Sequence, residues 1–293
     1  VSGPLLGPAQ IRDLAAALDL QPTKKLGQNF VVDGNTVRKI VRAAGVAAGD
    51  EVLEVGPGLG SLTVGLLEAG AVVTAVELDG RLAELLPSTV AELLPDAVGR
   101  LTVLHDDALR VAVPGAPSRL VANLPYNVSV PVILHLLATA PSLRTALVMV
   151  QAEVGQRLAA APGSKVYGSP SAKAAWYGRW STAGTVSRQV FWPVPNVDSI
   201  LVAFARAPEL PGTDAERAAT FALIDAAFGQ RRKMLRQALA ELLGGSGAAT
   251  ARIEAAGLDP TARGEQLAVT DFLALARAGD ALGGRSGTPS AGS

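Results

Sequence analysis

Residues 51–60 read Glu51-Val52-Leu53-Glu54-Val55-Gly56-Pro57-Gly58-Leu59-Gly60, and Ser61-Leu62-Thr63-Val64 follow. The run Glu51–Val55 predicts a short strand, the three alternate glycines a tight turn, and Ser61–Ala69 a helix. Glycine in such a turn lets the main chain approach a ligand closely, and the helix start offers N–H groups without partners. Alone, a Gly-x-Gly-x-Gly loop is weak evidence, because plain turns and dinucleotide sites share it. Two residues separate the readings. A dinucleotide fingerprint requires glycine at position 61, which is Ser61 here. Glu54, just before the loop, suits a pyrophosphate poorly but is tolerable beside a cation. The loop therefore favours S-adenosylmethionine, with its sulfonium and ammonium groups, over a nicotinamide dinucleotide.

Outward from the loop, strands and helices alternate. Helical spacing predicts helices over residues 10–20 and over Asn35–Ala44 (Val37, Ile40, Val41, Ala44), with Gly45 as a stop and a polar segment Lys24–Asp33 between them. After the loop come a strand Val72–Val76 ending at Glu77 and Asp79, a helix Leu82–Leu94, and a strand Leu101–Leu104 ending at Asp106 and Asp107. A strand Ser118–Ala122 then ends at Asn123, and a helix Val130–Ala138 and a strand Thr145–Val150 follow. Such alternation implies an α/β domain with a parallel sheet covered by helices on both faces. Ligands bind such sheets at the carboxyl ends of the strands. Gly56, Glu77, Asp107 and Asn123 all fall there, and their convergence says more than any one of them. Glu77 is placed to accept hydrogen bonds from ribose hydroxyls, and Asp107 from an adenine amino group.

Beyond Pro208–Thr213, which reads as a linker, the pattern is helical: Ala215–Gly229, Lys233–Leu243, Ala248–Ala256 and Val269–Ala278. The expected organisation is a domain over residues 1–207, a smaller helical domain over 208–280, and a Gly/Ser/Pro-rich tail over 281–293 expected to be disordered.

Composition narrows the chemistry. The chain of 293 residues is 49% hydrophobic and 18% charged, as a globular protein would be. Its formal net charge is zero, so any nucleic-acid surface must be local. The absence of cysteine excludes disulfides, thiolate catalysis and cysteine zinc sites, and two histidines, His105 and His135, are too few for a histidine cluster. No metal is expected. The segment Val1-Ser2-Gly3-Pro4 and its successors lack the basic and apolar regions of a signal peptide. No apolar run reaches the ~18–20 residues of a membrane span. The expectation is a cytoplasmic protein, not associated with membranes. A monomer is expected because no heptad pattern or large apolar stripe stands out.

Asn123-Leu124-Pro125-Tyr126 follows the fourth strand of the alternation. The exocyclic amine of adenine is a poor nucleophile, since its lone pair is delocalised into the ring. The Asn123 amide oxygen and the Leu124 carbonyl can accept its two N–H groups and draw the nitrogen toward tetrahedral geometry, with Pro125 fixing the turn. Tyr126 offers a flat face for an extruded base, a contact worth about 1–3 kcal/mol.

From Val154 to Val197 there is no Asp or Glu. This stretch holds Arg157, Lys165, Lys173, Arg179 and Arg188 together with Tyr167, Trp176, Tyr177, Trp180, Phe191 and Trp192. Cations among aromatics suit a nucleic-acid face, although some of these rings equally suit the core of a β-hairpin. A second basic cluster, Arg231-Arg232-Lys233 and Arg236, lies at a predicted helix start. Helix N-termini do not favour cations, so the cluster reads either as a phosphate-binding surface or as a solvated turn.

Together these motifs resemble the ribosomal RNA adenine dimethyltransferase family, most closely its small-subunit branch, whose loss gives kasugamycin resistance. Lys25-Leu26-Gly27-Gln28-Asn29-Phe30 with Asp33 is similar to the family's N-terminal signature, and Glu54–Gly60 to its cofactor loop. Val76-Glu77-Leu78-Asp79, Asp107-Ala108-Leu109 and Asn123–Tyr126 are similar to its next motifs. Further along, Pro162–Gly168, Phe191–Ser199 and Phe228–Leu235 keep the family's order. Some positions depart from the pattern: Asp106 replaces a glycine, and Ser169-Pro170-Ser171 replaces Leu-Ser-Val.

The resemblance implies a Rossmann-like class I methyltransferase domain with a seven-stranded, mostly parallel sheet and a C-terminal all-helical domain. It implies that Gln28, Asn29 and the Val31 backbone close over S-adenosylmethionine, with Gly56 at its methionine part and Glu54, Gly58 and Asn123 also among the residues that bind it. Glu77 would meet its ribose and Asp107 its adenine. Asn123 would lie beside the reacting amine, while Tyr126 and Phe191 hold the target base on opposite faces. Lys165, Arg231, Arg232, Lys233 and Arg236 would contact RNA. The implied partner is 16S rRNA in the small ribosomal subunit. The family's large-subunit, macrolide-resistance branch and a ribosome-assembly role by binding alone are the alternatives.

Overall fold

Each parallel strand between two neighbours buries both faces, so its sequence is a nearly unbroken apolar run. Val52–Val55, Val73–Val76 and Ala146–Val150 show this most plainly. The computed structural model describes residues 5–20 and 29–283. Its elements, in chain order, open with α1 (Pro8–Ala17), β1 (Phe30–Val31), α2 (Gly34–Ala43), β2 (Glu51–Val55), α3 (Ser61–Glu68), β3 (Val72–Glu77) and α4 (Gly80–Leu93). There follow β4 (Leu101–His105), β5 (Arg119–Asn123), α5 (Ser129–Thr139), β6 (Thr145–Gln151), α6 (Ala152–Leu158), α7 (Ser169–Ala175) and β7 (Gly178–Val186). The chain finishes with β8 (Phe191–Trp192), β9 (Ser199–Arg206), α8 (Asp214–Gly229), α9 (Leu235–Ala238), α10 (Ser246–Ala255) and α11 (Val269–Gly283).

Seven strands form one sheet in the order β4-β3-β2-β5-β6-β9-β7. The pairs from β4 to β6 are parallel, and β9 pairs antiparallel with β6, Gln151 opposite Ser199 and Met149 opposite Leu201. The order reverses between β2 and β5, which is where an open α/β sheet forms its ligand crevice. β1 and β8 form a separate two-stranded antiparallel ribbon, with Phe30 opposite Trp192 and Val31 opposite Phe191.

The helices pack by stripes. α2 buries Val37, Ile40 and Val41, at the i, i+3, i+4 spacing that defines one helix face. Such side chains contribute about 1.5–3 kcal/mol each when fully buried. Asp33 caps this helix, its Oδ2 accepting from the Thr36 N–H at 2.9 Å and the Thr36 hydroxyl at 2.6 Å. The Thr36 hydroxyl holds the Asp33 carboxyl below its ordinary range.

The described residues divide into two compact units: those within 1–156 together with 180–206, and those within 157–179 together with 207–283. The sequence pattern assigns 157–179 to the first domain; the structure packs them into the second. Lys173 pairs with Asp225 on α8 at 2.6 Å, and the Tyr167 hydroxyl donates to the Leu267 carbonyl at 2.9 Å. These partners are far away in sequence and invisible to a local pattern. The predicted helix Lys233–Leu243 also shortens, to Leu235–Ala238, and Gly244 and Gly245 take positive φ values of 80° and 123° just beyond it. No helix among the described residues is long and apolar enough to cross a membrane.

Candidate active site

At the switch point, the carboxyl ends of β2, β3 and β5 and the ribbon strand β1 wall a cavity of about 300 Å³. The glycine loop forms its floor. Gly56 and Gly58 have φ of +67° and +58°, a region that side chains with a Cβ rarely adopt. A Cβ on Gly58 would also come within 2.7 Å of the Phe30 ring, so the ring lies directly on the loop. Ser61, the residue that breaks the dinucleotide fingerprint, donates its hydroxyl to the Val31 carbonyl at 2.6 Å. That bond ties the ribbon to the start of α3.

Three acidic residues line the cavity, Glu54, Glu77 and Asp79, and the first two are buried. Glu77 is 7% exposed. Its Oε2 accepts from the Gly58 N–H at 3.0 Å, and its Oε1 from the Leu78 and Asp79 N–H groups at 2.9 and 3.0 Å. Burial nevertheless pushes its pKa above the ordinary carboxylate value, against those three hydrogen bonds. Glu54 is 1% exposed and accepts from the Thr63 hydroxyl at 2.7 Å. Burial raises its pKa to about 8; the Thr63 hydrogen bond lowers it, and the charge of Glu77 adds to the rise. A dry wall with two carboxyls, both resisting ionisation, is relieved by a cationic ligand, since an opposite charge at short range favours the charged form. The donor set thus fits a sulfonium compound and fits a pyrophosphate badly.

The Asn123–Tyr126 turn forms another wall. Asn123 Nδ2 donates to the Asn29 carbonyl at 2.9 Å, so Oδ1, at the other end of the amide, stays available as an acceptor. The Leu124 N–H donates to the Met149 carbonyl at 3.1 Å, which continues the β5–β6 pairing into the turn. The Tyr126 ring is half-buried at the cavity, and its hydroxyl shares a hydrogen bond with Ser199 Oγ at 2.7 Å.

Of the residues expected from the sequence, Asn29, Val31, Glu54, Gly56, Gly58, Glu77, Asn123, Leu124, Pro125 and Tyr126 meet at this one cavity. Gln28 lies outside the described residues. Asp107 is not part of the cavity wall; its Oδ1 accepts from the Leu109 N–H at 2.9 Å, forming a turn beyond β4. Phe191 is 2% exposed and packs in the core with Val31, Met149 and Leu201. Of the two rings expected to hold a base, Tyr126 and Phe191, Tyr126 lines the cavity and Phe191 does not.

Residues that sequence reasoning passed over include Phe30 and Leu78. Leu78 is 61% exposed although apolar, and it lines the cavity between Glu77 and Asp79. Its position after an acidic strand end was the available signal.

The acid-free stretch is mostly structural. Tyr167, Trp176, Tyr177, Trp180 and Phe191 are buried, because each has a packing partner: Trp176 and Tyr177 meet the Phe221 ring edge-on, and Trp180 packs on Phe204. Lys173 is paired with Asp225, and Arg188 with Asp198.

Within the second unit, Lys165 and the basic cluster do come together. Arg231 donates to the Lys165 carbonyl at 2.7 Å and pairs with Glu265 at 2.9 Å. Lys165, Arg232 and Lys233 are exposed, whereas Arg231 and Arg236 are half-buried. Arg231 is thus a brace for the cluster more than a free cation.

A sheet of this order, with a glycine loop after β2, an acid closing β3 and an Asn-Leu-Pro-Tyr turn after β5, defines a class I S-adenosylmethionine-dependent methyltransferase fold. Solved structures share it: a dimethyladenosine transferase from Plasmodium falciparum superposes with a TM-score of 0.71 at 24% identity, covering 83% of this chain and 94% of that one. The 23S rRNA methyltransferase ErmE gives 0.62 at 24% identity, covering 86% and 99%. Residues 20–279 match the family model described as ribosomal RNA adenine dimethylase. The chain is 70% identical over 273 residues to the ribosomal RNA small subunit methyltransferase A of Leifsonia xyli subsp. xyli, covering 93% of this chain and 98% of the relative. This chain belongs to the ribosomal RNA adenine dimethylase family.

Proposed function

We propose that this protein binds S-adenosylmethionine in the cavity and dimethylates the N6 amines of two adjacent adenines near the 3′ end of small-subunit rRNA. The observation that carries the reading is the meeting, at one cavity, of the Asn123–Tyr126 turn with the glycine loop and the two buried carboxyls. The small-subunit target follows the 70% identical relative; the fold alone does not choose, since it is shared with a 23S rRNA enzyme.

Glu54, Gly56, Gly58 and Glu77 would hold the cofactor, with Asn29 and Val31 covering it; Asp107, outside the cavity wall, would meet its adenine only where the cofactor extends beyond that wall. When bound, S-adenosylmethionine supplies an electrophilic methyl group on its sulfonium. Asn123 Oδ1 and the Leu124 carbonyl accept the two N–H groups of the target amine, which frees the nitrogen lone pair from the ring. Pro125 holds the turn, and Tyr126 stacks on the flipped base. Flipping costs a few kcal/mol, which the stacking offsets. No side chain is required as a base, because the methylated nitrogen is acidic enough to release its proton to water. Phe191, buried in this structure, would reach the base only after the ribbon that holds it shifts. Lys165, Arg232 and Lys233, with Arg231 and Arg236 behind them, would meet phosphates.

The test is methyl transfer from labelled S-adenosylmethionine to small ribosomal subunits lacking adenine dimethylation, with large subunits as control. Dimethyladenine in the small subunit only is the expected result. Label in the large subunit only assigns the protein to the other branch of the family. Cofactor binding without label in either overturns the enzymatic reading in favour of an assembly role.

A further inference from the structure

Tyr126 is held at two points by one pair of strands. Its turn is joined to β6 through the Leu124 N–H and the Met149 carbonyl at 3.1 Å. Its ring is joined to β9 through the hydroxyl and Ser199 Oγ at 2.7 Å, across 73 residues of chain. β6 and β9 are themselves locked in register, with Gln151 opposite Ser199. Just before Ser199, the Asp198 carbonyl accepts from the Ala152 N–H at 2.8 Å. Ser199 is 1% exposed, so its hydroxyl cannot turn to water as an alternative partner. A buried hydroxyl needs a hydrogen bond, and a rigid strand dictates where that bond must point.

The backbone contact alone would leave the Tyr126 ring free to rotate about its side-chain torsions. A ring that moves stacks less well on the base and lets the amine drift from Asn123. A misplacement of about 1 Å at a reacting group can cost on the order of 10²-fold in rate. We propose that Ser199 is a positioning residue for catalysis: its hydroxyl sets the plane of the Tyr126 ring, and through it the placement of the target adenine. The inference rests on the adenine dimethylase reading of this cavity. Ser199 does not itself line the cavity. Its side chain meets the wall at Tyr126 and not at the glycine loop or the two buried carboxyls proposed to hold the cofactor, so cofactor affinity is expected not to depend on it.

Ser199→Ala, Tyr126→Phe and the double variant test this. Ser199→Ala is expected to lower kcat about tenfold while leaving the affinity for S-adenosylmethionine and the melting temperature nearly unchanged. Tyr126→Phe removes the same hydrogen bond, so adding Ser199→Ala to it is expected to lower kcat no further. The chain has three tyrosines, and ring-carbon NMR resolves them, Tyr126 being assigned by its loss in Tyr126→Phe. Ser199→Ala is expected to shift the Tyr126 ring resonances and leave those of Tyr167 and Tyr177 in place. Wild-type kcat in Ser199→Ala, a full additional loss in the double variant, or an unmoved Tyr126 resonance each overturns the proposal. Should the wild-type protein transfer no methyl group, the substrate reading falls, and the Tyr126 resonance still decides whether Ser199 sets the ring.

Discussion

Asn123 Nδ2 donates to the main-chain carbonyl of Asn29 at 2.9 Å. The bond spans the site, from the end of β5 to the ribbon beside the cavity. It orients the amide so that Oδ1 is the end left as an acceptor, the role proposed for it toward the target amine.

Replacing Asn123 with alanine removes both functions of the amide. Turnover is expected to fall by roughly 10²–10³-fold, the range for losing one preorganised polar group at a reacting centre. The affinity for S-adenosylmethionine, measured by calorimetry, is expected to change by no more than a few-fold, because Glu54, Glu77 and the glycine loop remain. Turnover close to wild type would remove Asn123 from the mechanism.

Glu54 links the site to pH. Its carboxyl is raised from 4.5 to about 8 by burial, so the folded protein binds a proton that the unfolded chain gives up. Stability from this group is full below pH 4.5 and is lost as pH rises through about 8. Glu77, also raised by burial, acts in the same direction. Thermal unfolding of the ligand-free protein is therefore expected to show a downward slope across that window, less steep in Glu54→Gln. Binding of the cationic cofactor favours the ionised carboxyl and releases a proton, a release that calorimetry in buffers of differing ionisation enthalpy detects and that Glu54→Gln diminishes. Equal slopes in the two proteins would place the titration elsewhere.

Gly58→Ala meets two obstacles at once, a φ of +58° and a Cβ within 2.7 Å of the Phe30 ring. The backbone strain alone costs about 1–2 kcal/mol. The displaced ring narrows the cavity, so cofactor affinity is expected to fall more than tenfold alongside a lower melting temperature. Affinity equal to wild type would show that the loop tolerates a side chain.

The basic cluster divides into two roles that salt dependence separates. Replacing Arg232 and Lys233 with alanine is expected to weaken RNA binding and to reduce the salt slope of log K by about 2, one for each phosphate that the variant no longer neutralises. Cofactor affinity and melting temperature are expected to hold. Arg231→Ala removes the bonds to Glu265 and the Lys165 carbonyl, so its main effect is expected on thermal stability. An unaltered salt slope in the double variant would take these two cations off the RNA surface.

The predicted strands Glu51–Val55, Val72–Val76 and Thr145–Val150 lie within one residue of those observed, because parallel strands buried on both faces must be apolar throughout. The strands β7 and β9 are not located by pattern. β7 alternates between buried and exposed residues over only part of its length, and β9 pairs antiparallel to the rest, so neither repeats the strand–helix rhythm. The two-residue ribbon strands are too short for any periodicity to register.

The chain by itself determined the glycine loop, the acids at the strand ends and the Asn123–Tyr126 turn, since each is a local run whose residue types dictate a backbone shape or a chemistry. Tertiary structure decided what no run of residues can carry. It put Phe191 in the core and left Asp107 outside the cavity wall, set Arg231 as a brace, and brought Ser199 to the Tyr126 hydroxyl. Each of these depends on a partner distant along the chain, and burial is a property of that partnership, not of the residue.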